Sequence, residues 1–312
     1  MRALLLTNPD SGDTDTGNSD AIRAALATAP FTMELAEIHG ENDAATFARR
    51  AVADHFDIVL VSGGDGTVSE VARQLVHSDV ILGIIPSGTF NNIARSLRIP
   101  SALAAACAVI LDNHATRIDV GLANNSRVFF EAAGAGLDAA LFPLGEEIKG
   151  GHWTRWLQFL RTAFHYRAPR FHLTFDRSID EALAPGSRRK YTTRERRSHT
   201  LHHRALFVVA ANGPFYGAGF TVSPGANLTD GLFTISLFRR FTKWELLRHF
   251  HSIFRGKRRH SSKIETFTAG RVTINALVPV PAHVDGVAFG ETPLTLETLP
   301  GALRVFTPRG AA

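Results

Sequence analysis

The sequence predicts an α/β protein in two parts. The first, residues 1–120, is a doubly wound domain on a parallel sheet, and a C-terminal segment of about 300–312 returns to it. The second, residues 121–300, is β-rich and sandwich-like. Three observations carry this prediction. Short apolar, β-branched runs alternate with amphipathic helical stretches up to Leu111. Two of those runs end in glycine-bearing loops, where an open α/β sheet exposes the carboxyl ends of its strands. Beyond residue 120 the chain changes to short alternating segments broken by glycine, asparagine and proline.

In chain order, Ala3–Thr7 reads as a buried strand, followed by the glycine-bearing turn Asn8-Pro9-Asp10-Ser11-Gly12. Asp20–Ala29 is alanine-rich and helical, and Met33–Ile38 is a second strand. Asp43–His55 is a helix with Ala44, Phe47, Ala48, Ala51 and Val52 on one face, capped by Asn42 or Asp43. Ile58–Val61 is apolar and β-branched throughout, as a strand buried on both faces requires.

Ser62-Gly63-Gly64-Asp65-Gly66-Thr67 interrupts that run. From Thr67 onward Val68, Val71, Ala72 and Leu75 recur at helical spacing, with Glu70 in the first turn, where the helix dipole favours a carboxylate. A glycine loop between a strand and a helix N-terminus is a ready phosphate cradle. Here it also contains a carboxylate. Two negative groups tolerate one another with a cation between them, so Asp65 points to Mg²⁺ and a nucleotide. The plainer alternative is a tight turn, since turns favour Gly and Asp.

Val80–Ile85 is the next strand, and Pro86-Ser87-Gly88-Thr89-Phe90-Asn91-Asn92-Ile93-Ala94-Arg95 follows it. Ser101–Leu111 is a helix. Thr116–Leu122 and Arg127–Ala132 form a hairpin where the second domain begins.

In that domain, Trp153–Tyr166 is amphipathic. Trp153, Trp156, Leu157, Leu160 and Phe164 share one face, with Arg155, Arg161 and Arg167 around it. The face either packs on the domain or meets a membrane, since Trp and Arg both suit an interface. Phe171–Phe175 is a strand. The stretch from Ser178 to His203 is rich in Arg and His and reads as a mobile insertion in a hairpin; its histidines lack zinc-site spacing. Ala205–Ala211 and Leu232–Phe238 are strands, and Thr242–Phe254 is a second amphipathic helix, ending in a basic run. Short strands follow from Lys263 to Phe306.

Composition narrows the function classes. The chain has 312 residues and 45% hydrophobic content, which supports a sizeable core. The one cysteine, Cys107, excludes a disulfide framework and suits a reducing, cytoplasmic setting. No leader or membrane span is expected, because Leu4-Leu5-Leu6 stops at Asn8-Pro9. Residues 1–120 contain 8 Lys/Arg against 15 Asp/Glu, and the remainder contains 26 against 14. The basic second part suggests an anionic partner. With no nucleic-acid module in view, an anionic membrane surface fits better than nucleic acid.

Gly63-Gly64-Asp65-Gly66-Thr67 with Glu70-Val71 resembles the nucleotide signature of the diacylglycerol kinase catalytic-domain family, which includes bacterial lipid kinases and sphingosine kinases. The run from Pro86 to Arg95 is similar to that family's second signature, with Gly88, Thr89 and Asn91 matching and Asn92 where Asp is common. The resemblance implies ATP and Mg²⁺ as cofactors and a lipid alcohol at a membrane as substrate. It implies nucleotide contacts from Asn8, Pro9, Ser11, Gly12, Gly63, Gly64, Gly66, Thr67, Glu70, Gly88, Thr89 and Asn91, with Asp65 acting through Mg²⁺. It also implies a structural Mg²⁺ at Asp230 with the backbone of Asn227 and Leu232; as an isolated pair, Asp230-Gly231 reads as a hairpin turn. NAD kinases share a glycine-aspartate loop, but the later Thr-Pro-x-Gly-Ser-Thr-Ala-Tyr stretch of a NAD kinase is missing.

One departure stands out. Family kinases carry Asp-Gly-Glu where this chain has Asp285-Gly286-Val287, and that glutamate is the expected general base. Valine cannot accept a proton. The nearby carboxylates are Asp285 and Glu291, so one of them serves as base, or the protein is a weak or inactive kinase that binds nucleotide or lipid as a regulator. Phosphoryl transfer depends mainly on positioning and charge stabilisation, so a missing base need not abolish it.

Overall fold

The computed structural model describes residues 1–8, 19–40, 42–149, 151–152, 154–184, 191–217, 219–221, 223–239, 241–242, 245 and 263–310. Its elements in the first half are β1 (Arg2–Thr7), α1 (Ser19–Ala25), β2 (Thr32–Glu37), α2 (Asp43–Ala53), β3 (Ile58–Gly63), α3 (Asp65–Leu75), β4 (Ile81–Pro86), α4 (Asn92–Ser96), α5 (Leu103–Leu111), β5 (Ala115–Ala123), β6 (Arg127–Phe129), β7 (Ala132–Gly136), α6 (Leu137–Lys149) and α7 (Arg155–His165). Then come β8 (Arg170–Phe175), α8 (Ile179–Ala182), α9 (Thr193–Arg196), β9 (Thr200–Arg204), β10 (Phe207–Ala211), β11 (Phe215–Tyr216), β12 (Phe220–Thr221), β13 (Phe233–Phe238), β14 (Ile264–Ala269), β15 (Arg271–Ala276), β16 (Pro281–Val284), β17 (Val287–Glu291) and β18 (Leu294–Phe306). They form two compact units. One comprises Met1–Val120, Asn227–Gly231 and Leu299–Ala312, and the other Gly121–Ala226 and Leu232–Thr298.

The first unit is a parallel sheet in the order β2-β1-β3-β4, with the 299–306 part of β18 beside β4. Every residue of β3 and β4 is buried, which is why both read as unbroken apolar runs. Helices cover the sheet: Ile22, Leu26, Cys107 and Ile110 pack with Leu5, Leu60, Ile85 and Phe306 in one cluster. A strand-helix-strand order of this kind closes with right-handed crossovers and leaves the carboxyl ends of the strands on one edge.

The second unit is built on antiparallel pairs. One set runs β14-β13-β10-β7-β16-β17, and another pairs β15 with β8, the 294–297 part of β18 with β15, and β8 with β9. Its core joins Phe171, Phe175, Phe233 and Phe267 with Val208, Ile235, Val272 and Leu296. Phe129 stacks on Phe233 with ring centroids 5.5 Å apart.

The structure corrects several expectations. Asn42 stands at the start of α2 but makes no side-chain cap; Asp43 accepts from the N–H groups of His39 and Gly40 instead, at 3.0 and 2.9 Å. The helix after the glycine loop starts at Asp65, two residues earlier than its apolar periodicity suggests. The stretch between β8 and β9 is not a loose insertion where it is described. Ser178 and Thr192 each close a capping box, with Glu181 and Glu195, on single-turn helices. Helix α6 was not expected at all. Of the predicted helix Thr242–Phe254, only Thr242 and Glu245 are among the described residues. No helix among the described residues is long and apolar enough to cross a membrane.

Candidate active site

The carboxyl ends of β2, β1 and β3 are neighbours because the sheet order is β2-β1-β3. A cavity of about 530 Å³ opens there, lined by Asn8 after β1, Ile38, His39 and Gly40 after β2, Asn42 and Ala44 at the start of α2, and Gly66, Thr67 and Glu70 on α3. Four of the sequence-predicted residues, Asn8, Gly66, Thr67 and Glu70, therefore meet at one cavity. Pro9, Ser11 and Gly12 lie outside the described residues. The wall from Ile38 to Ala44 was missed, although a signal existed: the rule that points to strand ends applies to β2 as well as β1 and β3. Asp43 holds this wall in shape through its two backbone hydrogen bonds.

Gly63, Gly64, Gly88 and Asn91 do not line the cavity. They form a contact between two loops beside it. A Cβ placed on Gly88 would lie 2.5 Å from the Gly64 Cα, so the backbones touch where a side chain would separate them. Asn91 sits in the left-handed region at φ 49° and clamps its loop: its Oδ1 accepts from Gly88 N–H at 3.0 Å, and its Nδ2 donates to the Gly88 carbonyl at 2.6 Å. The Ser87 N–H donates to the Gly63 carbonyl at 3.1 Å, extending the β3–β4 pairing into the loops. Thr89 is exposed at the tip.

Asp65 is half-buried at the first position of α3. Its Oδ1 accepts from the Ile93 N–H at 3.0 Å and so ties the second loop to the first. Among the described residues its Oδ2 has no protein partner. Gly64 at the N-cap has no side chain, so the first N–H groups of α3 receive no side-chain cap. Uncapped amides, a helix N-terminus and one uncommitted carboxylate oxygen suit a phosphate group with Mg²⁺ beside it.

In the second unit, Asp285 occupies the turn between β16 and β17 at φ 47°. Its Oδ2 accepts from Phe130 N–H at 3.1 Å, and its Oδ1 accepts from Glu131 and Ala132 N–H at 2.9 and 3.2 Å. The carboxylate is thus committed to holding the chain where it enters β7. Val287, the next residue but one, is 55% exposed. Glu291 stands at the far end of β17, exposed and paired with Pro281. At the rise of a strand it is roughly 13 Å from position 287. Asp285 is thus engaged by three backbone N–H groups, and Glu291 lies four residues along β17 from position 287.

Beside this turn lies a buried polar group that the sequence did not reveal. His283 is fully buried, with Nε2 3.1 Å from Asp138 Oδ2, and Tyr216 donates to the same oxygen at 3.4 Å. Burial, reinforced by the Asp138 charge, pushes the Tyr216 hydroxyl well above its ordinary pKa. Phe142 of α6 packs on His283 at 4.9 Å between ring centroids.

The predicted second metal site divides between units: Asn227 and Asp230 belong to the first and Leu232 to the second. The Asn227 side-chain oxygen accepts from the Thr229 N–H and hydroxyl at 3.2 and 3.0 Å. The 227–231 segment is fixed to its unit by Asp119, a residue sequence reading passed over. Asp119 accepts from Gly231 and Gly301 N–H at 2.7 and 2.8 Å and donates its own N–H to the Leu228 carbonyl at 2.7 Å. Among the described residues no group of three or more His, Cys, Asp or Glu side chains could hold a metal ion.

An α/β unit with glycine loops at its strand ends, joined to an antiparallel sandwich-like unit, defines the class as a two-domain mixed α/β fold. Residues 2–123 match the diacylglycerol kinase catalytic domain, and residues 157–307 match the YegS C-terminal NAD kinase beta sandwich-like domain. The chain thus carries a diacylglycerol kinase catalytic domain followed by a YegS C-terminal domain. It is 26% identical to a diacylglycerol kinase of Staphylococcus epidermidis, over 99% of this chain and 92% of that protein. It is 27% identical to one of Staphylococcus haemolyticus, over 92% and 80%. The fold is that of a solved diacylglycerol kinase structure from Bacillus anthracis, at a TM-score of 0.73, 21% identity and coverage of 100% and 98%.

Proposed function

We propose that this protein is an ATP-dependent lipid kinase that transfers the γ-phosphate to the hydroxyl of a membrane lipid such as diacylglycerol. The observation that carries the reading is the cavity at the ends of β1, β2 and β3, flanked by the uncapped start of α3 and the open oxygen of Asp65. In this reading Asn8, Gly66, Thr67 and Glu70 contact the nucleotide. The amides of residues 65–67 face its phosphates, and the Gly63–Gly64 and Gly88–Asn91 loops keep the site in register. Mg²⁺ neutralises charge between phosphate and carboxylate when bound, and Asp65 Oδ2 would hold it. A structural Mg²⁺ at Asp230 with the Asn227 and Leu232 carbonyls is kept as a separate proposal. The second unit supplies the lipid site, and the protein works in the cytoplasm at a membrane surface.

Val287 favours a second reading: a catalytically weak or inactive regulator that binds nucleotide or lipid. A positioned base contributes roughly 10²–10⁴-fold, so its loss would leave a slow enzyme with intact binding. The test is transfer from γ-labelled ATP to a panel of lipids in mixed micelles, with Asp65→Asn beside the parent and NAD as a further acceptor. Label in one lipid, lost in the variant, supports the kinase and names its substrate. Retained ATP binding with no labelled lipid supports the regulator, and label in NAD alone refutes both.

A further inference from the structure

Helix α7 is amphipathic in the unexpected direction. Trp156, Leu157, Leu160 and Phe164 are 45%, 77%, 43% and 49% exposed, and no residue of the helix is buried. At 3.6 residues per turn these four occupy an arc of roughly 100°. The half-buried Phe159, Thr162 and Ala163 lie on the neighbouring arc, on the Trp156 side. The packed side of the helix is therefore the weaker apolar side, and the stronger one faces solvent. Arg161 borders the exposed stripe and Arg167 follows the helix end. Both are exposed, and neither has a carboxylate partner among the described residues. Arg155, by contrast, pairs with Glu147.

We propose that this face of α7 docks on an anionic lipid bilayer. Four large apolar side chains in one stripe, a tryptophan among them and arginines at the rim, match a helix lying in the plane of a membrane interface. Charge argues against the main alternative, a second copy of the chain. A two-fold contact centred on the stripe would bring Arg161 close to its own counterpart. The residues after 120 carry 26 Lys/Arg against 14 Asp/Glu, which favours an anionic surface. The choice of a bilayer also rests on the lipid-kinase reading, since a lipid substrate is met in a membrane.

The experiment is co-sedimentation of the full chain with phosphatidylcholine vesicles, with and without phosphatidylglycerol, without nucleotide. Leu157→Glu with Leu160→Glu should lower vesicle partitioning at least about tenfold while leaving the folded chain cooperative in a thermal melt, because both side chains are exposed. Arg161→Glu should weaken binding to the phosphatidylglycerol vesicles and leave the weak binding to pure phosphatidylcholine unaltered. Undiminished partitioning of the double variant would overturn the proposal. So would a parent that ignores both vesicles, or a parent dimer that the same variant dissociates. Vesicle binding needs no catalysis: a parent that docks but labels no lipid would remove the kinase reading and leave the docking face standing.

Discussion

Two alanine substitutions separate the glycines that build the site from those that serve it. A Cβ at Gly88 would lie 2.5 Å from the Gly64 Cα and 2.9 Å from Asn91 Oδ1. That is roughly 1 Å short of the 3.5–4.0 Å optimum for carbon pairs, and the first atom met is backbone, which cannot rotate away. Gly88→Ala should therefore force the two loops apart and cost about 1–3 kcal/mol, the usual range for overpacking. For a unit of this size the melt should fall by roughly 3–12 °C. At Gly66 an added Cβ meets nothing within 4 Å, and the residue lies in the first turn of α3 with the cavity beside it. Gly66→Ala should stabilise the helix by about 0.5–1 kcal/mol, because alanine loses less backbone freedom there. If the cavity that Gly66 lines holds the phosphates, as proposed, the same methyl should lower ATP affinity about tenfold, equivalent to about 1.4 kcal/mol. Thermal melts and calorimetric titration with a non-hydrolysable ATP analogue read both effects. If Gly66→Ala binds nucleotide equally well, the assignment of that cavity to the phosphates is wrong; a lower melt than the parent would refute the helix argument instead.

Val287→Glu should raise the rate of lipid phosphorylation roughly 10²-fold or more, since it places a proton acceptor on an exposed position beside the Asp285 turn; an unchanged initial rate would show that the missing base is not what limits the enzyme. Burial pushes the Cys107 thiol up to about 11, so iodoacetamide should modify the folded chain far more slowly than the unfolded one at pH 8. The neutral thiol is the favoured form in the fold, so its contribution to stability is fully present below the ordinary value of 9.0 and is lost as pH rises through about 11. Tyr166 and Tyr216 are both raised, by burial first and the Asp138 charge second. An ultraviolet titration should find at least two tyrosines still protonated past pH 10 until the chain unfolds.

Legibility followed sequence distance. The strands β1, β3 and β4 and the loops at Gly63 and Gly88 are local statements: an apolar run buried on both faces, then glycine-rich loops, of which Gly64 and Gly88 let two backbones touch. Asp285 was visible as part of a motif, but its partners at residues 130–132 are some 150 positions away, so its structural employment could not be read. Asp119 likewise links segments at Gly231 and Gly301. Helix α6 was hidden because the glycines that precede it and Pro143 within it imitate a loop. Periodicity located the apolar stripe of α7 but carried no information about which way it points.

The 299–306 segment beside β4 sets a schedule for synthesis. It is the last strand of the first unit to leave the ribosome, after the whole of the second unit has been made. Until then β4 presents an open, fully apolar edge, the kind of surface that recruits other chains. The nascent protein must protect that edge for most of its length, and a fragment ending near residue 123 would never cover it. Expressed alone, the half that contains the cavity is expected to aggregate.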